Sequence, residues 1–198
     1  ATTYTGSSSN RNDIMTEMEK MLAGEPFDFT APDVAESLRR RRVNQAHFNA
    51  VSFDDGKAYD EALSALIPHR HPTARIMPPF YCDHGHRIQL GEGVFINAGC
   101  TFLDCGGITV GDHTLIGPGC RICTPQHPID FEERRKPVET GLPITIGEDC
   151  WLGAGVTVCP GVRIGARSII GAGSVVVHDI PEDSLATGNP AVVKRKLR

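Results

Sequence analysis

Residues 146–176 read IGEDCW LGAGVT VCPGVR IGARSI IGAGSV V, with an aliphatic side chain at every sixth position: Ile146, Leu152, Val158, Ile164, Ile170 and Val176. In a chain that is 40% apolar, six such hits in one phase have a chance of about 0.004. Gly follows four of the six, at 147, 153, 165 and 171. A period of six fits neither the 3.6 of a helix nor the 2 of a long strand. It suits a short strand and a turn, with one aliphatic pointing inward per hexapeptide. Three hexapeptides close a triangular coil of 18 residues, and coils stack at about the 4.8 Å spacing of strands. Gly serves the corners, where the backbone must turn.

Upstream, the same spacing recurs in two shorter runs: Leu90, Ile96, Phe102 and then Val110, Ile116, Ile122. The intervals record where the repeat is broken. Phe102 and Val110 are eight apart, a two-residue insertion. Ile122 and Ile146 are 24 apart, so about 18 residues, a coil's length, loop out between them. Stacked coils offer few crevices, so this loop, at about 123–143, is where function is to be sought.

Before the repeat the pattern is helical. Ile14, Met15, Met18, Met21 and Leu22 recur at helical spacing and Gly24 stands at a helix end. Such a Met stripe reads as a packing face. A second helix is expected from Pro32 to about Asn49, with Thr30 and Asp33 as a capping pair. Its four consecutive arginines, Arg39 to Arg42, point in different directions on a helix and read as a solvated or partner-facing surface. A third helix is expected over 57–67, stopped by Pro68. The organisation expected is a disordered tail at 1–12, a helical segment at 13–70, the repeat at 71–190 and a basic tail at 191–198.

The 198 residues suffice for one domain with a core of its own. A net charge of -4 argues against a coat for nucleic acid or anionic membrane. No apolar run reaches membrane-spanning length. The polar start reads as no signal peptide, and seven unpatterned cysteines suggest a reducing, cytoplasmic setting. Cys120 and Cys123 form a lone C-x-x-C inside the repeat, without the second pair a zinc site needs, so no metal is expected.

The chain resembles the hexapeptide-repeat acyltransferases, and within them the maltose/galactoside and nodulation-type O-acetyltransferases. The residues that carry the resemblance are Glu17–Glu25 (EMEKMLAGE), Pro78–Asp83 (PPFYCD), Asn97 with Asp104, Thr124–Asp130 (TPQHPID), Pro143–Gly147 (PITIG) leading to Trp151, Ile180-Pro181 and Gly188–Pro190. The resemblance implies a mainly β fold: a left-handed parallel β-helix with an N-terminal helical segment and an extruded loop. It also implies a homotrimer, acetyl-CoA as co-substrate in a groove between neighbouring subunits, and direct acetyl transfer to a sugar or glycoside hydroxyl without metal.

By the same resemblance His127 is the general base. A hydroxyl is a poor nucleophile at neutral pH, and a largely neutral imidazole can accept its proton in the transition state. Glu139 would orient the imidazole or stabilise its protonated form. Asp28, Asp83, Asn97 and Asp104 are the acceptor-binding candidates, with Asp28 aligned to within one residue. Trp151, Ala154, Ala172, His178 and Arg195 are the CoA-binding candidates. Two positions depart from the family: His178 replaces a common Lys, and Val192 stands where Arg often sits. Neutral His is the weaker phosphate partner. Cys105 replaces a polar site residue found in some relatives.

Three alternatives stay open on the sequence. One is transfer to another small hydroxyl acceptor, as in the xenobiotic and serine acetyltransferases. Another is a zinc lyase on the same fold, which needs three converging histidines, where the chain from Leu90 onward has only His113, His127 and His178 without the required spacing. The third is a non-catalytic scaffold, which would need neither His127 nor CoA.

Overall fold

The computed structural model describes residues 15–198; the tail expected at 1–12 and the apolar position Ile14 lie outside them. Three helices precede a parallel β-helix of triangular section. Its first face stacks His69–Arg70, Ile88–Leu90, Ile108–Val110, Ile144–Ile146 and Arg163–Ile164. The second stacks Arg75–Ile76, Phe95–Ile96, Leu115–Ile116, Trp151–Leu152, Ile169–Ile170 and Ser184–Gly188. The third stacks Phe80–Cys82, Cys100–Leu103, Arg121–Cys123, Thr157–Val158 and Val175–Val176. All twelve aliphatic and Phe positions of the repeat are buried, and they form one continuous ladder.

The register explains the intervals. Ile146 pairs with Ile164, and Leu152 with Ile170, 18 residues on. Lower in the prism the coils take 20: Ile76 pairs with Ile96, Ile96 with Ile116, Leu90 with Val110. Across the extruded loop Val110 pairs with Ile146 and Ile122 with Val158, 36 residues apart. That is two 18-residue coils, so one coil's length has left the stack while the prism stays unbroken.

The coiling starts at His69, a coil below Leu90. Two ladder positions of this first coil are Arg70 and Cys82, paired with Leu90 and Phe102, so the apolar hexad pattern is absent there. The Arg70 guanidinium is buried at the end of the prism, held by Asp60, Ser64 and several backbone carbonyls.

The helices close that end. Helix α1 (Glu17–Ala23) begins with a capping box between Thr16 and Glu19 and ends at Gly24, whose φ of 75° suits glycine. Met21 is buried with Phe27, Val34 and Cys105, whereas Met15 and Leu22 are exposed. Helix α2 (Pro32–Ala50) has no side-chain cap. The expected capping pair is otherwise engaged: Thr30 donates to the Asp28 carboxylate, and Asp33 accepts from the Met18 and Val34 amides. Gln45 and Asn49 of α2 satisfy the open edge of strand Phe80–Cys82, which protects it from pairing with another chain. Helix α3 (Gly56–Leu66) buries Tyr59, Ala62, Leu63 and Leu66 in the main core. The Tyr59 hydroxyl donates to the Ile76 carbonyl and accepts from its amide, both at 2.8 Å.

At the far end, the residues expected as a basic tail form a strand. Ala191–Lys196 folds back antiparallel on Ser184–Gly188 and ends the second face. Among the described residues no helix is long and apolar enough to cross a membrane.

Candidate active site

The extruded loop leaves the corner between the third and first faces. At its root Thr124 donates its amide to Leu103 O and accepts from the Leu142 amide, so the two ends of the loop are neighbours. Gly106 and Gly141 cross there in backbone contact; a Cβ on Gly141 would lie 2.4 Å from Gly106. The loop folds as a hairpin, with Gln126 opposite Thr140 and Pro125 opposite Gly141. At its tip a one-turn helix, α4 (Phe131–Arg134), is capped by Asp130, whose carboxylate accepts from the Glu132 and Glu133 amides. The N-terminal segment adds a third strand: Phe27 pairs with Glu139 and Asp28 with Val138. This small antiparallel sheet fixes the residue that follows Gln126, His127.

The imidazole of His127 has three neighbours. Nδ1 lies 3.4 Å from the Val138 carbonyl. Nε2 lies 3.8 Å from Glu139 Oε2. The ring of Phe29 stands edge-on with centroids 6.0 Å apart. With a proton on Nδ1 directed at the carbonyl, Nε2 carries the basic lone pair, and a proton gained there faces a carboxylate. Burial pushes the Glu139 carboxyl up and the neighbouring Asp83 adds to this, while His127 pulls it down.

Behind this pair lie more acids. Asp83 is pushed up to about 6, mainly by burial and then by the Asp104 charge, with Arg41 opposing. Asp104 is fully buried. Its two oxygens accept from the amides of Asp83, His84 and Arg87, so it holds the turn that presents Asp83 and shows no surface to a ligand. Burial raises its carboxyl and those amides lower it. Cys105 is also buried in this group, its thiol pushed up to about 12 by burial. The Asp28 carboxylate is occupied by the amide and hydroxyl of Thr30. Phe29, which the sequence reading passed over, is the N-terminal side chain that meets His127; its signal was the one-residue uncertainty at Asp28.

The other candidates gather elsewhere. Asn97 lies at the corner between the second and third faces, in the column of Gly117 and Gly153. Its Oδ1 accepts from the Ala98 amide. Ala154 and Ala172 are exposed at the same corner. Trp151 is 54% exposed on the second face, between Leu115 and Ile169. Ile169 pairs with Leu185 and Leu185 with Arg195. Trp151 and Arg195 thus share one row, three strand spacings or about 14 Å apart. His178 is exposed beyond the end of the third face, towards the corner of the loop. Within one chain the candidates therefore divide between two corners of the prism, His127, Glu139, Asp83 and His178 towards the one between the third and first faces and Asn97, Ala154 and Ala172 at the one between the second and third, while Trp151 and Arg195 lie on the second face. Among the described residues no group of three or more His, Cys, Asp or Glu is arranged to hold a metal.

Comparison with known proteins identifies the family. The profile described as Bacterial transferase hexapeptide (six repeats) matches residues 143–178. Nodulation protein L of Rhizobium meliloti is 37% identical over 179 residues, covering 90% of this chain and 98% of its own. The crystal structure of a maltose O-acetyltransferase from Clostridium difficile superposes with a TM-score of 0.90 at 35% identity, covering 93% of this chain and 98% of that one. A hexapeptide-repeat acetyltransferase from Vibrio cholerae, solved with acetyl coenzyme A, superposes with a TM-score of 0.85 at 37% identity, covering 93% and 100%. On this identity, carried over nearly the full length of both chains, and on the shared fold, the chain belongs to the hexapeptide-repeat acetyltransferases, in the maltose/galactoside and nodulation-type group.

Proposed function

We propose that the protein transfers acetyl from acetyl-CoA directly to a hydroxyl of a sugar or glycoside, with His127 as general base, in a homotrimer. The observation that carries this reading is the setting of His127: a carbonyl at Nδ1 and a half-buried carboxylate near Nε2. The acceptor oxygen attacks the thioester carbonyl while its proton passes to Nε2. The tetrahedral intermediate collapses, the C–S bond breaks, and the imidazolium returns the proton to the departing CoA sulfur. Glu139 stabilises the imidazolium during the interval. Asp83 is the acceptor-facing carboxyl of the set, with Asp104 fixing its turn from behind.

The acetyl coenzyme A in the Vibrio cholerae structure supports the donor, and the maltose O-acetyltransferase supports the acceptor class. The row from Trp151 to Arg195 suits an extended ligand with an apolar arm and an anionic end. The division of the candidates between two corners of the prism supports the homotrimer. His127, Glu139 and Asp83 occupy one edge of the third face, whereas Asn97, Ala154 and Ala172 occupy the other. Packing one copy's loop corner against the next copy's Asn97 corner completes the set.

The test is thiol release from acetyl-CoA with a panel of sugars and glycosides, for wild type and His127→Ala. A general base contributes about 10² to 10⁴ in rate, and acceptor-dependent release is expected to fall by that factor. Full activity in the variant would remove His127 from the mechanism. Absence of both release and acetyl-CoA binding would favour a scaffold.

A further inference from the structure

Two hollows flank the first coil, and His86 borders both. The smaller, about 380 Å³, lies between α2 and the turn after Cys82, with Arg40, Arg41 and His84 in its wall. The larger, about 820 Å³, is a groove along the first face that begins at His69, His86 and Arg87. Both lie away from the second face, which carries Trp151 and Arg195.

Three of the arginines here touch no carboxylate directly. Among the described residues Arg40, Arg41 and Arg87 have no carboxylate within 4.0 Å. Arg41 spends Nε on the Asp83 carbonyl. The Arg87 guanidinium donates no hydrogen bond to any described residue, and its Nε is buried without a partner. Nε is sealed from solvent, as is that of Arg70, so the terminal amines are the donors that Arg87, which lines the groove, can offer to a ligand. The acids bordering the hollows are already engaged. Asp33 holds the Met18 and Val34 amides, Glu36 holds Arg39, and Asp112 holds the Glu92 amide.

We infer that this groove is an anion site: a phosphate-class oxyanion, free or as the monoester of a small metabolite, binds Arg87 with His69 and His86 beside it. The planar guanidinium fork matches tetrahedral oxyanions in pairs of parallel hydrogen bonds. Arg40 and Arg41, across His86, add attraction at longer range. Burial, and then the Arg87, His69 and Arg40 charges, hold the His86 imidazole below its usual range. At neutral pH it therefore serves as a neutral N–H donor, and the arginines supply the charge. The arginine run in α2 thus gains a use that its sequence alone does not indicate: folding sets Arg40 and Arg41 opposite a second basic group from the first coil.

The experiment is a titration of the full chain with inorganic phosphate at constant ionic strength, followed by calorimetry and by the histidine ring resonances. Saturable binding of one phosphate per chain is expected, with the His69 and His86 signals moving and the Kd weakened tenfold or more in Arg87→Gln. A parallel titration with glycerol phosphate separates the sources: tighter binding than phosphate identifies a monoester, equal or weaker binding the free ion. Absence of saturable binding by both probes would overturn the proposal. So would unchanged binding in a folded Arg87→Gln, or displacement of the phosphate by acetyl-CoA. Should Arg87→Gln fail to fold, His69→Ala at an exposed position carries the test, with at least threefold weakening expected and none overturning it.

Discussion

Glu139 Oε2 stands 3.8 Å from His127 Nε2, and the acid is the more buried of the two, with its side chain 15% exposed against 50% for the histidine. At that distance the contact is a through-space charge interaction, not a hydrogen bond. It comes into play as the imidazole gains a proton. Glu139→Gln should therefore lower kcat by about tenfold while leaving the acetyl-CoA KM in place. Burial also raises the Glu139 carboxyl, so its ionisation contributes to the acid limb of the pH profile. Activity rises with pH as the carboxylate forms. The wild-type acid limb of kcat/KM is expected to be steeper than that of Glu139→Gln. Profiles of equal slope would separate Glu139 from the reaction.

Asp83 links the site to stability. Its carboxyl is raised from 3.8 to about 6 in the fold. Between those values the native state binds more protons than the unfolded state. Stability is therefore greatest below about pH 4 on this account and falls as pH rises through 6, by up to about 3 kcal/mol. Asp83→Asn should remove this dependence and be more stable than wild type at pH 7.5, while acceptor KM rises. Urea denaturation at pH 4.5 and 7.5, for both proteins, checks the sign. A variant less stable than wild type at pH 7.5 would contradict it.

Asp104 should behave in the opposite way. Its carboxylate satisfies three backbone amides in a fully buried setting. Asp104→Ala leaves them without an acceptor, each at a cost of about 1–3 kcal/mol. A loss of at least about 3 kcal/mol is expected, read as a fall in the urea midpoint. A loss below 1 kcal/mol would mean that the turn has other support.

Trp151 is exposed and is the only Trp in the chain. Trp151→Ala should shift stability by less than about 0.5 kcal/mol, as for a surface substitution. It should raise the acetyl-CoA KM by an order of magnitude or so, in keeping with the loss of a stacking surface. The same residue is a reporter: acetyl-CoA binding should change its fluorescence, and a titration without any change would move the donor away from this face.

The legible part of the sequence was the part with a repeated physical demand. Each hexad from Ile146 to Val176 must put one aliphatic into the prism, so the period appears in the residues themselves. The coil at 69–82 meets the same geometry with Arg70 and Cys82, because α3 supplies polar partners at the open end, and its pattern disappears. His127 was legible through its loop and the resemblance, but its surroundings were not. The approach of Phe29 depends on a two-residue strand pairing with Glu139 and Val138, a contact more than a hundred residues away in sequence. Asp104 looked like a ligand residue because acids near sites often are; only burial identifies it as the brace of a turn. The strand Ala191–Lys196 was hidden by its charge, since an edge strand with both faces largely in solvent has no apolar alternation to read.

The ends of the extruded loop are already joined by the hydrogen bond from Leu142 to Thr124, and the strands above and below pair as though the intervening residues were absent. The stack and the hairpin are thus separable in this molecule. The stack bears the weight of folding, while the hairpin is a pendant that selection can lengthen, shorten or rewrite without asking the stack for any change in register. A chain shorn of residues 125–141 should therefore still wind as an unbroken column and, on the proposed role of His127, should have lost acetyl transfer.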